Sequence, residues 1–234
     1  MGLAATRERG RAIILAGKVL VDGVVVDKAG AAVREGAVVT LAEADHPYAS
    51  RGGVKLAGAL DAFGIDVRDR VCLDVGASTG GFTDCLLQRG AAKVWAVDVG
   101  RAQLAPKLAA DPRVVVVDRV NARALDDTHV PELVSLATID VSFISATKVL
   151  PAVAKRLAPA ADVLVLVKPQ FEAGRALVGK GGVVKDDAVR AAVTDRVALA
   201  GRALGLVERA RADSVLAGPK GNLEIFVWLS PDRS

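Results

Sequence analysis

From Arg70 onward the apolar positions of this chain fall into runs of strand length separated by stretches with helical spacing. VCLDVG, KVWAVDVG, RVVVVDRV, LATIDVSF and VLVLVKP alternate with FTDCLLQRG, AQLAPKLAA and a helical pattern reaching Ala158. Runs that are apolar at nearly every position belong to strands covered on both faces. Their alternation with helices predicts βαβ units and a mostly parallel sheet, an α/β architecture. A further helix is expected from about Asp187 to Leu204, with Asp186 as its N-cap. LVERARADS and NLEIFVWLS then close the chain as two more strands.

The front of the chain has a different pattern. A helix around Glu8 to Ala16 stops at Gly17, and Asp22-Gly23 between two Val-rich runs is a hairpin signal. VREGAVVTL adds a second turn and a strand. AEADHPYASRGG, small and polar with Pro47 and two glycines, then reads as a connection. The expected organisation is a small unit over 1–43, a linker over 44–54 and a large domain over 55–234.

Composition changes this picture little. Aromatics are only 3% of the 234 residues, so the core is aliphatic, and no run approaches the roughly 18 apolar residues of a membrane span. The net charge of +4 is mild, but Arg7, Arg9, Arg11 and Lys18 stand against Glu8 alone at the front, where a polyanion can dock. No apolar leader opens the chain, and Cys72 and Cys85 lack the spacing of a zinc site or disulfide framework. Buried, reduced thiols in a cytoplasmic protein are expected, with no membrane partner.

Candidate chemistry begins where VCLDVG runs into Gly76-Ala77-Ser78-Thr79-Gly80-Gly81 and a helix follows. A glycine-rich turn there lets backbone approach a ligand, and Asp98, ending the next strand, can accept both hydroxyls of a ribose. A dinucleotide site would spell G-x-G-x-x-G, whereas this turn reads D-x-G-x-x-x-G-G from Asp74. That pattern resembles motif I of S-adenosylmethionine-dependent methyltransferases and ranks a methyltransferase ahead of a nicotinamide enzyme. Gly76, Ser78, Gly80 and Gly81 are the expected backbone contacts. Asp74 is a charge to offset a sulfonium, Asp98 a ribose ligand, and Asn121 a candidate near the adenine, although an Asn after a strand is commonly a turn residue.

Four ionisable residues border or interrupt apolar runs: Lys55 in SRGGVKL, Asp140 in TIDVSF, Lys168 in LVKPQF and Glu224 in NLEIFVW. Singly, Asp140 and Lys168 could be strand-end charges, Glu224 an outward residue on an edge strand and Lys55 a solvated helix residue. In a parallel sheet, however, carboxyl ends of strands are where ligands bind. Together the four resemble the Lys-Asp-Lys-Glu tetrad of FtsJ-type ribose 2′-O-methyltransferases. SRGGVKL, LDVGASTGGFTDCLLQRGA, DVSFIS, LVKPQFE and GPKGNLEIFVWL resemble the TlyA, or hemolysin A, family over nearly all of residues 6 to 230.

The resemblance implies a Rossmann-like class I methyltransferase domain with a seven-stranded, mostly parallel sheet, S-adenosylmethionine as cofactor, and cytidine 2′-hydroxyls of ribosomal RNA or ribosomal subunits as target. It implies catalytic roles for Lys55, Asp140, Lys168 and Glu224, with Asp140 also serving the cofactor. It further implies a small α+β RNA-binding domain of the S-four type, matched by TRERGRAIILAGKVLVDGVVVDKAG and shortened at its start, where that domain normally has another helix. Arg7, Arg9, Arg11, Lys18 and Arg51 are the expected RNA contacts. At neutral pH a ribose hydroxyl needs help as a nucleophile, and Lys168 could serve as proton acceptor or as an ammonium orienting the oxygen. The glycine-rich segment between Glu172 and Lys185 reads either as a lid over RNA phosphate or as a solvated loop. A binding protein without turnover and a membrane-active cytolysin are the competing readings.

Overall fold

The computed structural model describes residues 3–4, 6–15, 17–41 and 46–232, the side chains of Arg9, Arg175 and Pro219 excepted. The chain divides into two compact units, Met1–Pro47 and Tyr48–Ser234.

In the first unit, helix α1 (Arg7–Leu15) precedes strands β1 (Val19–Val21), β2 (Val24–Val26) and β3 (Val39–Leu41), which form an antiparallel sheet in the order β2-β1-β3. Asp22 and Gly23 both adopt positive φ, 49° and 81°, as a two-residue hairpin whose twist matches its strands requires. The Asp22 carboxylate then accepts hydrogen bonds from the Val38 N–H (2.9 Å) and from Arg34, fixing where the third strand begins. Arg7 and Arg11 are exposed on α1 and Lys18 is half-buried. The side chain of Arg9 lies outside the described residues.

The second unit is built on helices α2 (Gly52–Phe63), α3 (Gly81–Gln88), α4 (Pro106–Ala109), α5 (Leu150–Ala154), α6 (Pro169–Glu172) and α7 (Asp187–Arg202). Its strands are β4 (Val71–Val75), β5 (Lys93–Asp98), β6 (Val114–Asp118), β7 (Val134–Ile139), β8 (Leu157–Val167), β9 (Leu206–Asp213) and β10 (Ile225–Pro231). They form one seven-stranded sheet in the order β6-β5-β4-β7-β8-β10-β9. The five strands from β6 to β8 are parallel, and β10 is antiparallel to both neighbours. Successive residues point to opposite faces. Leu73, Val75, Ala137, Ile139, Val163 and Val165 therefore pack with Val149 just before α5, Val153 of α5, and Val193 and Val197 of α7. Cys72, Val94, Leu136, Leu164 and Phe226 pack with Leu56 and Leu60 of α2 and Leu86 of α3. Burial pushes both thiols, Cys72 and Cys85, up to about 12.

Three expectations need correction. Residues 48–54 belong to the second unit and not to a linker: Tyr48 packs on its core, and α2 starts at Gly52. The helix expected to reach Ala158 ends at Ala154, because Leu157 pairs with Val134 and starts β8. AQLAPKLAA yields only the four residues of α4, whose first position is Pro106, a residue without the N–H that an earlier start would use.

Candidate active site

The chain runs outward from β4 through β5 to β6 and then returns to lay β7 on the other side of β4. Where strand order reverses in this way, the loops after the central strands part and leave a crevice. The segments at that crevice are the glycine turn after β4 and DVSFIS after β7. Gly76 has φ +90°, and a Cβ there would lie 2.4 Å from the backbone oxygen of Asp140, so no side chain fits. Gly80, expected at the ligand, faces Leu104 and Leu108 instead; a Cβ there would stand 2.3 Å from Leu108 Cδ1. Gly81 opens α3 and lets it approach Ser50, whose Oγ a Cβ would meet at 2.1 Å.

Asp74 also departs from its expected place, lying fully buried beneath the turn and not on the cavity wall. Its carboxylate accepts hydrogen bonds from Thr83 Oγ1 (2.7 Å) and Thr138 Oγ1 (3.1 Å). Burial raises its pKa to about 7; the two hydroxyls pull it down, and Asp140 adds to the rise.

Two cavities adjoin at the crevice. One, about 460 Å³, is lined among others by Gly76, Ser78, Asp98, Asn121, Asp140 and Phe143. Asp98 accepts hydrogen bonds from the backbone N–H of Ser78 (2.8 Å) and of Gly100 (2.7 Å), which fix its carboxylate at the end of β5. A carboxylate offers about four acceptor positions, so capacity for ribose hydroxyls remains. Asn121 fulfils its turn role, accepting from the Arg123 N–H (3.1 Å), and lines the cleft as well.

The second cavity, about 420 Å³, is bordered by Arg51, Lys55, Asp140, Ser142, Lys168 and Glu224, and shares Gly76, Ser78, Asp140 and Ser142 with the first. The four ionisable residues form two ion pairs. Lys55 Nζ lies 2.6 Å from Glu224 Oε2, with both side chains nearly or wholly buried, and Lys168 Nζ lies 2.5 Å from Asp140 Oδ1. Their meeting follows from strand register. Val167, the last residue of β8, pairs with Ile225, the first of antiparallel β10, so Lys168 and Glu224 emerge side by side. Lys55 arrives on α2, and Asp140 directly follows β7, its N–H bonded to the Val75 oxygen at 2.9 Å. Glu224 is buried beside an inner strand, which removes the outward edge-strand explanation.

The sequence reading missed two participants. Ser142 Oγ accepts from Lys168 Nζ at 3.1 Å. Glu172, itself buried, accepts from Ser145 Oγ (2.6 Å) and the Ala146 N–H (2.7 Å), tying the loop after β7 to the turn after β8. Between these ties Phe143 takes φ +66° and its exposed ring meets Phe171 at 5.1 Å. The only prior signal was their membership in DVSFIS and LVKPQFE. The segment between Glu172 and Lys185 is bonded to Asn222, which accepts from the Val184 N–H (3.0 Å) and donates to the Gly182 oxygen (2.9 Å).

Residues 48–230 match the FtsJ-like methyltransferase family, and residues 1–39 match the S4 domain. The 16S/23S rRNA (cytidine-2′-O)-methyltransferase TlyA of Mycobacterium tuberculosis is 48% identical over 229 residues, 97% of this chain and 85% of the relative. Hemolysin A of Brachyspira hyodysenteriae is 42% identical over 224 residues, 95% of this chain and 93% of the relative. A Streptococcus thermophilus protein whose solved structure carries the hemolysin name superposes with a TM-score of 0.81 at 40% identity, covering 100% of this chain and 86% of that one. The chain thus belongs to the FtsJ-like methyltransferases, in the TlyA or hemolysin A branch that joins this domain to an S4 domain.

Proposed function

We propose that this protein is an S-adenosylmethionine-dependent ribose 2′-O-methyltransferase that acts on cytidine of ribosomal RNA, in the compartment that holds ribosomes. The observation carrying the reading is the juxtaposition of two cavities at the sheet's switch point. One is walled by residues suited to a nucleoside, Asp98 and Asn121; the other is ringed by Lys55, Asp140, Lys168 and Glu224; and Asp140 faces both. The cleft fits the cofactor: Asp98 keeps acceptor capacity for ribose hydroxyls at one wall, and Asp140 lines the cleft with a carboxylate suited to a sulfonium. When bound, the cofactor supplies an electrophilic methyl group.

The protein's own residues perform the rest. As an ammonium Lys168 has three N–H donors; one bonds Ser142 Oγ, Asp140 Oδ1 stands in ion-pair contact with the charge, and donor capacity remains to orient a ribose 2′-oxygen and stabilise charge as it develops. Asp140 holds Lys168 in place while facing the cofactor cleft. The Lys55–Glu224 pair borders the same cavity from α2 and β10 and fixes its far wall. Arg51 at that cavity and the basic residues Arg7, Arg9, Arg11 and Lys18 are suited to RNA phosphates. A cytolysin finds less support, since among the described residues no helix is long and apolar enough to cross a membrane. A protein that binds RNA without turnover would have no use for a complete tetrad.

The test is transfer of tritiated methyl groups to unmodified ribosomal subunits. Wild type should incorporate label at cytidine, and Lys168→Ala should lose at least about 100-fold in rate with cofactor affinity little changed. Equal incorporation by the variant would overturn the role given to Lys168.

A further inference from the structure

Glu224 has two carboxylate oxygens in different circumstances. Oε2 takes the Lys55 ammonium at 2.6 Å, whereas Oε1 is buried and accepts no hydrogen bond from the described residues. What Oε1 faces is Gly218, in the turn that leads into β10. A Cβ on Gly218 would stand 2.1 Å from Oε1, 2.6 Å from Cδ and 3.3 Å from Cγ of Glu224, and no other atom is among its three nearest.

The backbone does not require glycine at this position. Gly218 lies outside the left-handed region, unlike Lys220 and Gly221 in the same turn, at +61° and +83°. Nor can the turn easily recede. The Gly218 N–H donates to the Asn222 oxygen (2.8 Å), the Gly221 N–H donates to the Gly218 oxygen (3.1 Å), and the buried Asn222 side chain is bonded to Val184 and Gly182. An added methyl group therefore has one soft neighbour, the end of the Glu224 side chain. Displacing that carboxylate withdraws Oε2 from Lys55.

We infer that Gly218 is a positioning residue for the methyl-transfer site: its missing side chain is the space in which the Glu224 carboxylate sits, and so it sets the Lys55–Glu224 pair. The inference rests on the proposed role of the tetrad. Because a side-chain end yields and the backbone need not, Gly218→Ala should still fold, give up some stability through the displaced carboxylate, and fail in chemistry.

The experiment compares wild type, Gly218→Ala, Glu224→Ala and the double variant in methyl incorporation into unmodified ribosomal subunits, cofactor affinity and thermal midpoint. Each single variant should lose at least about tenfold in kcat with cofactor affinity within about threefold, and the double variant should be no slower than the slower single, the mark of two residues acting as a unit. The same cycle should show in stability: Gly218→Ala lowers the thermal midpoint in the wild-type background and leaves it unmoved in the Glu224→Ala background. Wild-type turnover by Gly218→Ala, losses that multiply in the double variant, or a midpoint drop unchanged by removing Glu224 would each overturn the inference. Absence of incorporation by wild type, with the stability coupling intact, would count against the RNA-methylating reading and not against the placement of Glu224 by Gly218.

Discussion

Asp74 illustrates how a residue of a site motif can be sealed away from the cavity walls. From the sequence it is a carboxylate next to a glycine turn; in the fold it is sealed beneath that turn and held by Thr83 and Thr138. Its pKa, raised by burial from 3.8 to about 7, links stability to pH. In the unfolded chain it ionises near 3.8, while in the folded protein it keeps its proton until about 7. Unfolding therefore releases a proton between these values, and the associated stability, present below the lower value, is lost as pH rises through the upper one. Asp74→Asn, which cannot ionise, should gain on wild type as pH rises from 4 to 7, by up to the order of 4 kcal/mol, with the gap level above that. Thermal midpoints of both proteins across this range check it; a constant gap would show that Asp74 ionises as freely inside as outside.

Elements were legible where local rules decide them. Asp186 was readable as an N-cap, and its side chain does accept from the Ala188 (2.8 Å) and Val189 (3.4 Å) N–H groups at the head of α7. Asp186→Ala should lower stability by about 1 kcal/mol in urea unfolding without altering methyl transfer, since neither Asp186 nor the residues it caps line either cavity. Runs such as VLVLV likewise announced strands buried on both faces, and Pro169 after Lys168 marked where β8 stops. The end of α5 was less legible, because Leu157 is claimed by pairing with Val134, a contact its own neighbours do not encode. The same limit hid the pairing inside the site. That Lys55 meets Glu224 while Lys168 meets Asp140 depends on the β8–β10 register and on the placement of α2, and that Gly218 serves Glu224 depends on side-chain contact alone.

At the scale of the molecule charge is distributed locally: basic and acidic residues balance over the first unit as a whole, and the positive excess there is confined to its front. The net +4 is too small to attract a polyanion everywhere, but Arg7, Arg9, Arg11 and Lys18 concentrate positive charge in a unit that matches the S4 domain, and Arg7 and Arg11 stand exposed on one helix. If these side chains neutralise phosphates, each contact releases counterions, and the logarithm of RNA affinity falls linearly with the logarithm of salt, by about 0.7 to 0.9 per contact. Replacing Arg7 and Arg11 together by Gln should weaken binding to ribosomal subunits at low salt and flatten that slope by about 1 to 2, with little effect on cofactor binding, since the cleft proposed for the cofactor is lined by residues of the second unit. Affinities measured from 50 to 300 mM salt give the slope directly. A variant that binds more weakly with an unchanged slope would mean that these arginines support the helix and do not touch phosphate. An unchanged affinity would instead shift the electrostatic contact to Arg51 and other basic residues of the second unit.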